Sequence, residues 1–169
     1  MQKTPKKLAF FDMDGTLIAP RFWTGDKMVY TFPKQEWIDY CNERKEAAYA
    51  HCELLWPIIK YMDSIKKAYA PCILTVTCSH GEELAKTDFI QHHFELNPVE
   101  HVYFVHSDDE KFDVIKKKME KYGLSPADVM LVEDNLYSVM KANELGYKGI
   151  HVSHIIASLY QSLRTTQET

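Results

Sequence analysis

Leu8-Ala9-Phe10-Phe11-Asp12-Met13-Asp14-Gly15-Thr16-Leu17 is the stretch that decides how this chain is read. A short apolar run delivers two carboxylates at spacing i, i+2 and then breaks at a glycine. Alternate side chains of a strand share a face, so Asp12 and Asp14 are expected to point the same way. A strand ending there puts both acids at its carboxyl edge, where open α/β sheets place their ligands. Gly15 frees the backbone to turn sharply or to approach a ligand closely. Two like charges held so near one another repel, so a cation must neutralise them or one must hold a proton. The first arrangement suits a Mg²⁺-assisted carboxylate nucleophile and the second an acid/base partner beside it. Both belong to phosphoryl transfer through an aspartyl-phosphate.

Asp-x-Asp-Gly also occurs in calcium loops and in ordinary turns. An EF-hand loop needs a Glu at its twelfth position, which counted from Asp12 is Trp23. A plain turn needs no apolar run leading straight into the acids. Asp12-Met13-Asp14-Gly15-Thr16 resembles the first motif, D-x-D-G-T, of the haloacid dehalogenase-like hydrolase superfamily. The resemblance implies a nucleophile at Asp12, a general acid/base at Asp14, and a Mg²⁺ held partly by the Asp12 carboxylate and the Asp14 main-chain carbonyl. Haloacid dehalogenases themselves lack the second aspartate, so its presence at position 14 favours phosphate chemistry over carbon–halogen cleavage.

Five apolar runs read as strands: Lys7 to Asp12, Cys72 to Thr77, His101 to Val105, Val129 to Glu133, and Lys148 to Val152. Helical patterns separate the later ones, which predicts parallel strands joined by crossovers. Expected helices are Trp56 to Tyr69, Gly81 to Phe94 with a Ser79–Glu82 capping box, Asp109 to Tyr122 stopped by Gly123, Leu136 to Leu145 stopped by Gly146, and His154 to Leu163. Ser125-Pro126 reads as an N-cap followed by proline at the first helical position, and Arg164 to Thr169 as a fraying end. The fold class is therefore α/β: a Rossmann-like three-layer sandwich with a mainly parallel five-stranded sheet. About sixty residues separate the first two strands, more than a crossover requires. Residues from about 20 to 55 are expected to form a small helical insertion, helical from Lys34 to Leu55. Its aromatics either pack as core or form a cap-like cover over the carboxyl edge.

The chain has 169 residues, 46% hydrophobic and 26% charged, with a formal net charge of -4. That suits one domain over 1–169 with a core that needs no staples. No apolar run approaches the roughly 20 residues of a membrane helix, and Met1 to Lys7 is too polar to open a signal peptide. Cys41, Cys52, Cys72 and Cys78 have no zinc-ligand spacing and read as thiols in a reducing compartment, so a cytoplasmic location is expected. Lys116-Lys117-Lys118 with Lys121 reads as the solvated face of a helix whose other face carries Phe112, Ile115, Met119 and Tyr122. Neither a nucleic-acid nor a membrane partner is expected. His92-His93 and His151-x-x-His154 lack a third ligand at a suggestive spacing.

The phosphoryl group of an aspartyl-phosphate site needs donors, and Thr75 and Thr77 end the second strand on one face. The resemblance implies that one of them is the second motif. The approach Tyr69 to Thr75 is similar to that in 5'(3')-deoxyribonucleotidase-like proteins, which favours Thr75, while the loop Thr77-Cys78-Ser79 keeps Thr77 in play. A fixed cation is needed as well. Lys111 opens a helix against its macrodipole, which is unfavourable without a compensating anion, and the resemblance makes it the third motif. Lys86 is the alternative. Met130 to Asn135 repeats the logic of the first strand: apolar residues run into paired acids, where hard Mg²⁺ wants carboxylate oxygen. Asp134 is the expected metal ligand, Glu133 a second-sphere or alternate ligand, and Asn135 a residue that orients Lys111 or a metal-bound water. The expected activity is a Mg²⁺-dependent phosphomonoesterase acting on a small phosphorylated metabolite. The alternatives are a 5'-nucleotidase-like phosphatase, then a phosphomutase, then a non-catalytic partner-binding protein on this fold.

Overall fold

A computed structural model describes the backbone of residues 7–167 and the side chains of residues 7–164. The polar start as far as residue 6 and the last two residues lie outside it, and with them the readings of a missing signal peptide and of part of the fraying end. In chain order the strands and helices are β1 (Leu8–Phe11), β2 (Ile18–Ala19), β3 (Phe22–Trp23), β4 (Met28–Val29), α1 (Lys34–Arg44), β5 (Glu53–Leu54), α2 (Trp56–Ile65), β6 (Ala70–Val76) and α3 (His80–His93). They continue as α4 (Pro98–His101), β7 (Val102–Val105), α5 (Asp108–Tyr122), β8 (Val129–Glu133), α6 (Leu136–Glu144), β9 (Lys148–His151) and α7 (Val152–Gln167).

Five strands form one sheet in the order β7-β6-β1-β8-β9, and every pairing in it is parallel. Strand alternation divides the core into two layers. Ala9, Phe11, Ile73, Met130 and Val132 face one side, where α2, α3 and α7 bring Ile58, Met62, Ala85, Phe89 and Ile155. Leu8, Phe10, Leu74, Val129 and Leu131 face the other, against Phe112 and Ile115 of α5 and Ala142 of α6. The result is the expected α/β three-layer arrangement with helices on both faces of the sheet.

The segment after β1 differs from the expectation of a helix running from Lys34 to Leu55. α1 stops at Arg44, Lys45 turns the chain with φ +48°, and a 3₁₀ turn covers Lys45–Tyr49. The chain then extends as β5, antiparallel to β2, while β3 and β4 make a second antiparallel pair. Pairing of Glu53–Leu54 with Ile18–Ala19 is what straightens the end of the proposed helix. The inward face survives the break: Tyr40, Cys41, Ala48, Tyr49 and Cys52 are all buried. A methyl group at Gly81 of α3 would lie 2.5 Å from Asn42 Oδ1 and 3.0 Å from the Asn42 Cα, so only glycine lets α1 approach this closely.

Other boundaries move less. α2 ends at Ile65 rather than Tyr69, and α7 continues past Leu163 to Gln167. Ser125-Pro126 opens a single 3₁₀ turn, Pro126–Asp128. Gly123 closes α5 at φ +64°, the left-handed cap its position implied. All four cysteines are free thiols, three of them buried. No helix among the described residues is long and apolar enough to cross a membrane.

Candidate active site

Asp12 follows β1 directly, its N–H donating to Val132 O of β8 at 3.0 Å, so the carboxylate is fixed at the carboxyl edge of the sheet's central strand. The chain then curls back on itself. Leu17 and Ile18 donate to Met13 O, and Gly15 N donates to Ile18 O at 2.9 Å. Gly15 has φ +73°, and a side chain there would collide with Asp134 Oδ2. The glycine therefore serves two purposes, a left-handed turn and the seating of a second acid over the loop.

Alternation sends Asp12 and Glu133 toward the α5 layer, and Lys111 meets them there. Its Nζ lies 3.0 Å from Asp12 Oδ1, 2.7 Å from Glu133 Oε2 and 3.0 Å from Asp108 Oδ1. Lys111 is 2% exposed. Burial works against its charge, and Asp12 and Glu133 overcome that, holding its pKa above the ordinary lysine value. Asp108 is in turn held by Asn135 Nδ2 at 2.9 Å. Asn135 thus acts on Lys111 through Asp108, a residue the sequence reading passed over.

A second buried lysine serves the other acid. From the opposite face of the sheet, α3 sends Lys86, 1% exposed, to within 2.7 Å of Asp14 Oδ2 and 3.1 Å of Glu82 Oε1. Its Nζ also donates to Thr75 Oγ1 at 2.9 Å and to Val76 O at 2.6 Å. Burial again disfavours the charge, and Asp14, Glu82 and Asp12 more than restore it, so this lysine too titrates above its usual range. Tyr49, from the 3₁₀ turn, donates its hydroxyl to Asp14 Oδ2 at 3.3 Å. Burial, then the Asp14 and Glu82 charges, keep that phenol neutral well beyond its ordinary pKa. Asp14 Oδ1, by contrast, is buried without a hydrogen-bond partner among the described residues.

The structure thus brings Asp12, Asp14, Lys111, Glu133 and Asp134 to one edge, together with Lys86, which the sequence offered only as an alternative cation. The two threonines divide. Thr75 lies within β6 and its hydroxyl oxygen accepts from Lys86, whereas Thr77 lies just past the strand end and donates to Glu83 Oε1 at 3.3 Å. Sequence reasoning missed Tyr49, Glu82 and Asp108. Glu82 carried a signal, since its place in the capping box fixes it at the start of α3. Its carboxylate accepts from Cys78 N at 2.8 Å while Ser79 Oγ accepts from Glu82 N.

The acids are suited to a hard divalent cation. Asp12, Glu133 and Asp134 each offer a carboxylate oxygen, all within 4.8 Å of one another. Carboxylate oxygens are the donors Mg²⁺ prefers, and no histidine or cysteine joins the cluster among the described residues. Burial pushes Asp12 up to about 6 despite the pull of Lys111 and Lys86. Burial and the Asp12 charge push Glu133 up to about 8 against Lys111. Three acids crowded together, only two of them paired with Lys111, are short of positive charge, which a divalent ion would supply. His151 Nε2 lies 2.8 Å from the Asp134 carbonyl and steadies that end of the cluster.

No family model and no curated protein matches the chain. Several solved structures are similar to it, among them the following three. A haloacid dehalogenase-like hydrolase from Streptococcus pneumoniae shares 17% identity over 83% of this chain and 81% of its own, with a TM-score of 0.44. A haloacid dehalogenase-superfamily hydrolase from Ehrlichia chaffeensis shares 17% over 87% of each chain, with a TM-score of 0.44. The N-terminal part of a Bacteroides fragilis protein containing a phosphatase domain, complexed with Mg, shares 15% over 86% of this chain and 35% of its own, with a TM-score of 0.42. The likeness is distant.

Proposed function

We propose that this protein is a Mg²⁺-dependent phosphomonoesterase that works through an aspartyl-phosphate on Asp12. The observation that carries the reading is the pairing of each acid of Asp12-Met13-Asp14 with its own buried lysine, Lys111 at 3.0 Å and Lys86 at 2.7 Å. Asp12, Asp134 and Glu133, with the Asp14 main-chain carbonyl, would hold the Mg²⁺, which when bound offsets phosphate charge as a Lewis acid. Lys111 fixes Asp12 Oδ1, so the other oxygen is left to attack phosphorus. As the Asp12–phosphorus bond forms, the ester oxygen leaves with its electron pair and takes a proton from Asp14. Lys86 and Tyr49 anchor Asp14 Oδ2, which leaves the unpartnered Oδ1 as the oxygen that would pass the proton. In the second step Asp14 accepts a proton from water as that water attacks phosphorus, and the phosphorus–Asp12 bond breaks. Thr77, past the end of β6, would donate to the phosphoryl oxygens by turning its hydroxyl away from Glu83 Oε1, while Thr75 holds Lys86 in place. The segment from about 20 to 55 acts as a small cap, contributing Tyr49 to the site and covering its outer side.

Purified protein tested with 4-nitrophenyl phosphate is expected to release phosphate with Mg²⁺ and to stop with EDTA. Asp12→Asn should abolish turnover and phosphoenzyme together. Asp14→Asn should slow hydrolysis by roughly 10²–10⁴-fold, the range of general acid–base catalysis. With this good leaving group the variant should accumulate phosphate on Asp12, detected by mass spectrometry after acid quench. Label on another residue, or normal turnover by Asp12→Asn, would overturn the assignment.

A further inference from the structure

We infer that the leaving group of the substrate is a flat aromatic ring carried one or two bonds from the ester oxygen, an aryl or arylmethyl phosphate. The inference rests on the phosphatase reading above and narrows its substrate class. A cavity of about 430 Å³ is lined by Asp14 together with Pro20 and the rings of Phe22, Tyr30, Phe32 and Trp37. That size lies within the range of small-molecule sites. The rings are already set against one another. Phe22 and Trp37 have centroids 4.7 Å apart, and Phe32 lies 5.8 Å from Phe22 and 5.7 Å from Trp37. Phe22 is buried, whereas Tyr30 is 67% exposed, so its ring is free to meet a group that enters.

The polar part of the lining does not suit a polyhydroxylated group. Asp14 and Glu82 are the inner acids, and both are engaged by Lys86. What is left is Thr31, Cys78 and Lys34, all exposed on the wall or rim. A sugar placed here would surrender its water to apolar walls and find few partners, which costs free energy for each unmatched hydroxyl. An aromatic ring meets offset or edge-on partners on several sides, the arrangement such rings prefer. The group bonded directly to the ester oxygen occupies this cavity, because the cavity begins at the residue that protonates that oxygen.

The test compares substrates whose leaving alcohols have similar basicity, so that the ring and not the chemistry is read. Benzyl phosphate and 1-naphthylmethyl phosphate are set against glycerol 1-phosphate, glucose 6-phosphate and a nucleoside 5'-monophosphate. The arylmethyl esters are expected to have kcat/KM at least about tenfold higher, each tenfold being about 1.4 kcal/mol. Tyr30→Ala should raise KM for 1-naphthylmethyl phosphate several-fold with little change in kcat, and raise KM for glycerol 1-phosphate by clearly less. Phe32→Leu, which keeps bulk but removes a flat face, should do the same. Equal kcat/KM across the panel, or a preference for the sugar or nucleoside ester, overturns the inference while the phosphatase reading stands. If nothing is hydrolysed, 1-naphthylmethylphosphonate is titrated against glycerol 1-phosphonate by Trp fluorescence. Selective, Tyr30-dependent binding of the former upholds the cavity's preference while the phosphatase reading falls, and no selectivity overturns the inference.

Discussion

Lys86 sits in a helix whose sequence, His80 to His93, alternates charge and apolar residues without an obvious inner face, and nothing local marks it as buried. Its partners come from a loop, a neighbouring turn of α3 and a strand, a convergence that only the fold creates. Lys111 was legible for the opposite reason, as a cation misplaced in a helix's first turn that needed an anion. Strand alternation and the abrupt end of β1 fix the direction of Asp12, but Asp14 lies past that end in the turn and meets Lys86 from the opposite face, not the shared face that alternation predicted. Tyr49 was not legible, lying 35 positions from Asp14 with no motif between them. Lys86→Met would leave Asp14 and Glu82 facing each other without a cation. Removing one member of a buried ion pair costs about 3 kcal/mol or more, and urea unfolding should show that loss. Unchanged stability would mean that the ion pair is not formed in solution. Gly15→Ala faces both a left-handed φ, which costs a side chain roughly 1–2 kcal/mol, and a collision with Asp134. Calorimetric titration should find Mg²⁺ affinity lowered by about tenfold or more, as when the support of a ligand is disturbed. Wild-type affinity would show that Asp134 is not a ligand.

The sheet strands could be read as short apolar runs because the central three, β6, β1 and β8, are largely buried on both faces, and the half-buried edge strands β7 and β9 are still apolar enough to stand out from the helices beside them. The break in the segment Lys34 to Leu55 could not, since residues at three- and four-residue steps stay inward through helix, 3₁₀ turn and strand alike. The interruption is caused by long-range pairing of β5 with β2, and a local pattern carries no trace of it. Its hinge is Lys45, with φ +48° and ψ -127°, a conformation that a residue with a Cβ adopts only under strain. Lys45→Gly should therefore stabilise the protein by about 1 kcal/mol, a rise in Tm of roughly 2–4 °C for a chain of this size. A fall would show that the turn relaxes in solution. Gly149 is constrained in the opposite sense. A methyl group there would lie 2.5 Å from Val139 O in α6, so Gly149→Ala should lower Tm by prising α6 from β9.

Across the molecule, two apolar layers clamp one sheet and deliver a lysine each to its carboxyl edge, Lys86 from one side and Lys111 from the other. The acids gathered there repel one another, so a divalent cation held between them, as proposed above, would couple its binding to folding. At Mg²⁺ a hundredfold above its Kd, linkage adds about 2.7 kcal/mol, and Tm should rise by about 5–10 °C relative to protein in EDTA. Asp134→Asn should lose most of that rise. An identical Tm with and without Mg²⁺ would remove the cation from the edge. The three-layer arrangement was visible in the order of strand and helix patterns, but the spatial order β7-β6-β1-β8-β9 came only with the structure, because apolar strands of similar composition can pair in many sequences.

The central position of β1 has a consequence for synthesis. Leu8 is in register with Ala70 and with Val129, roughly sixty and one hundred and twenty residues further along. A ribosome adds about 5–20 residues per second, so β8 emerges on the order of ten seconds after β1. Throughout that interval the strand leading into Asp12 has a β-strand neighbour on one side at most, and Glu133, at the end of β8, is not yet beside it. The apolar centre of the sheet therefore stays open on that side until β8 pairs with β1, and only that pairing brings Glu133 and Asp134 to the end of the strand that leads into Asp12.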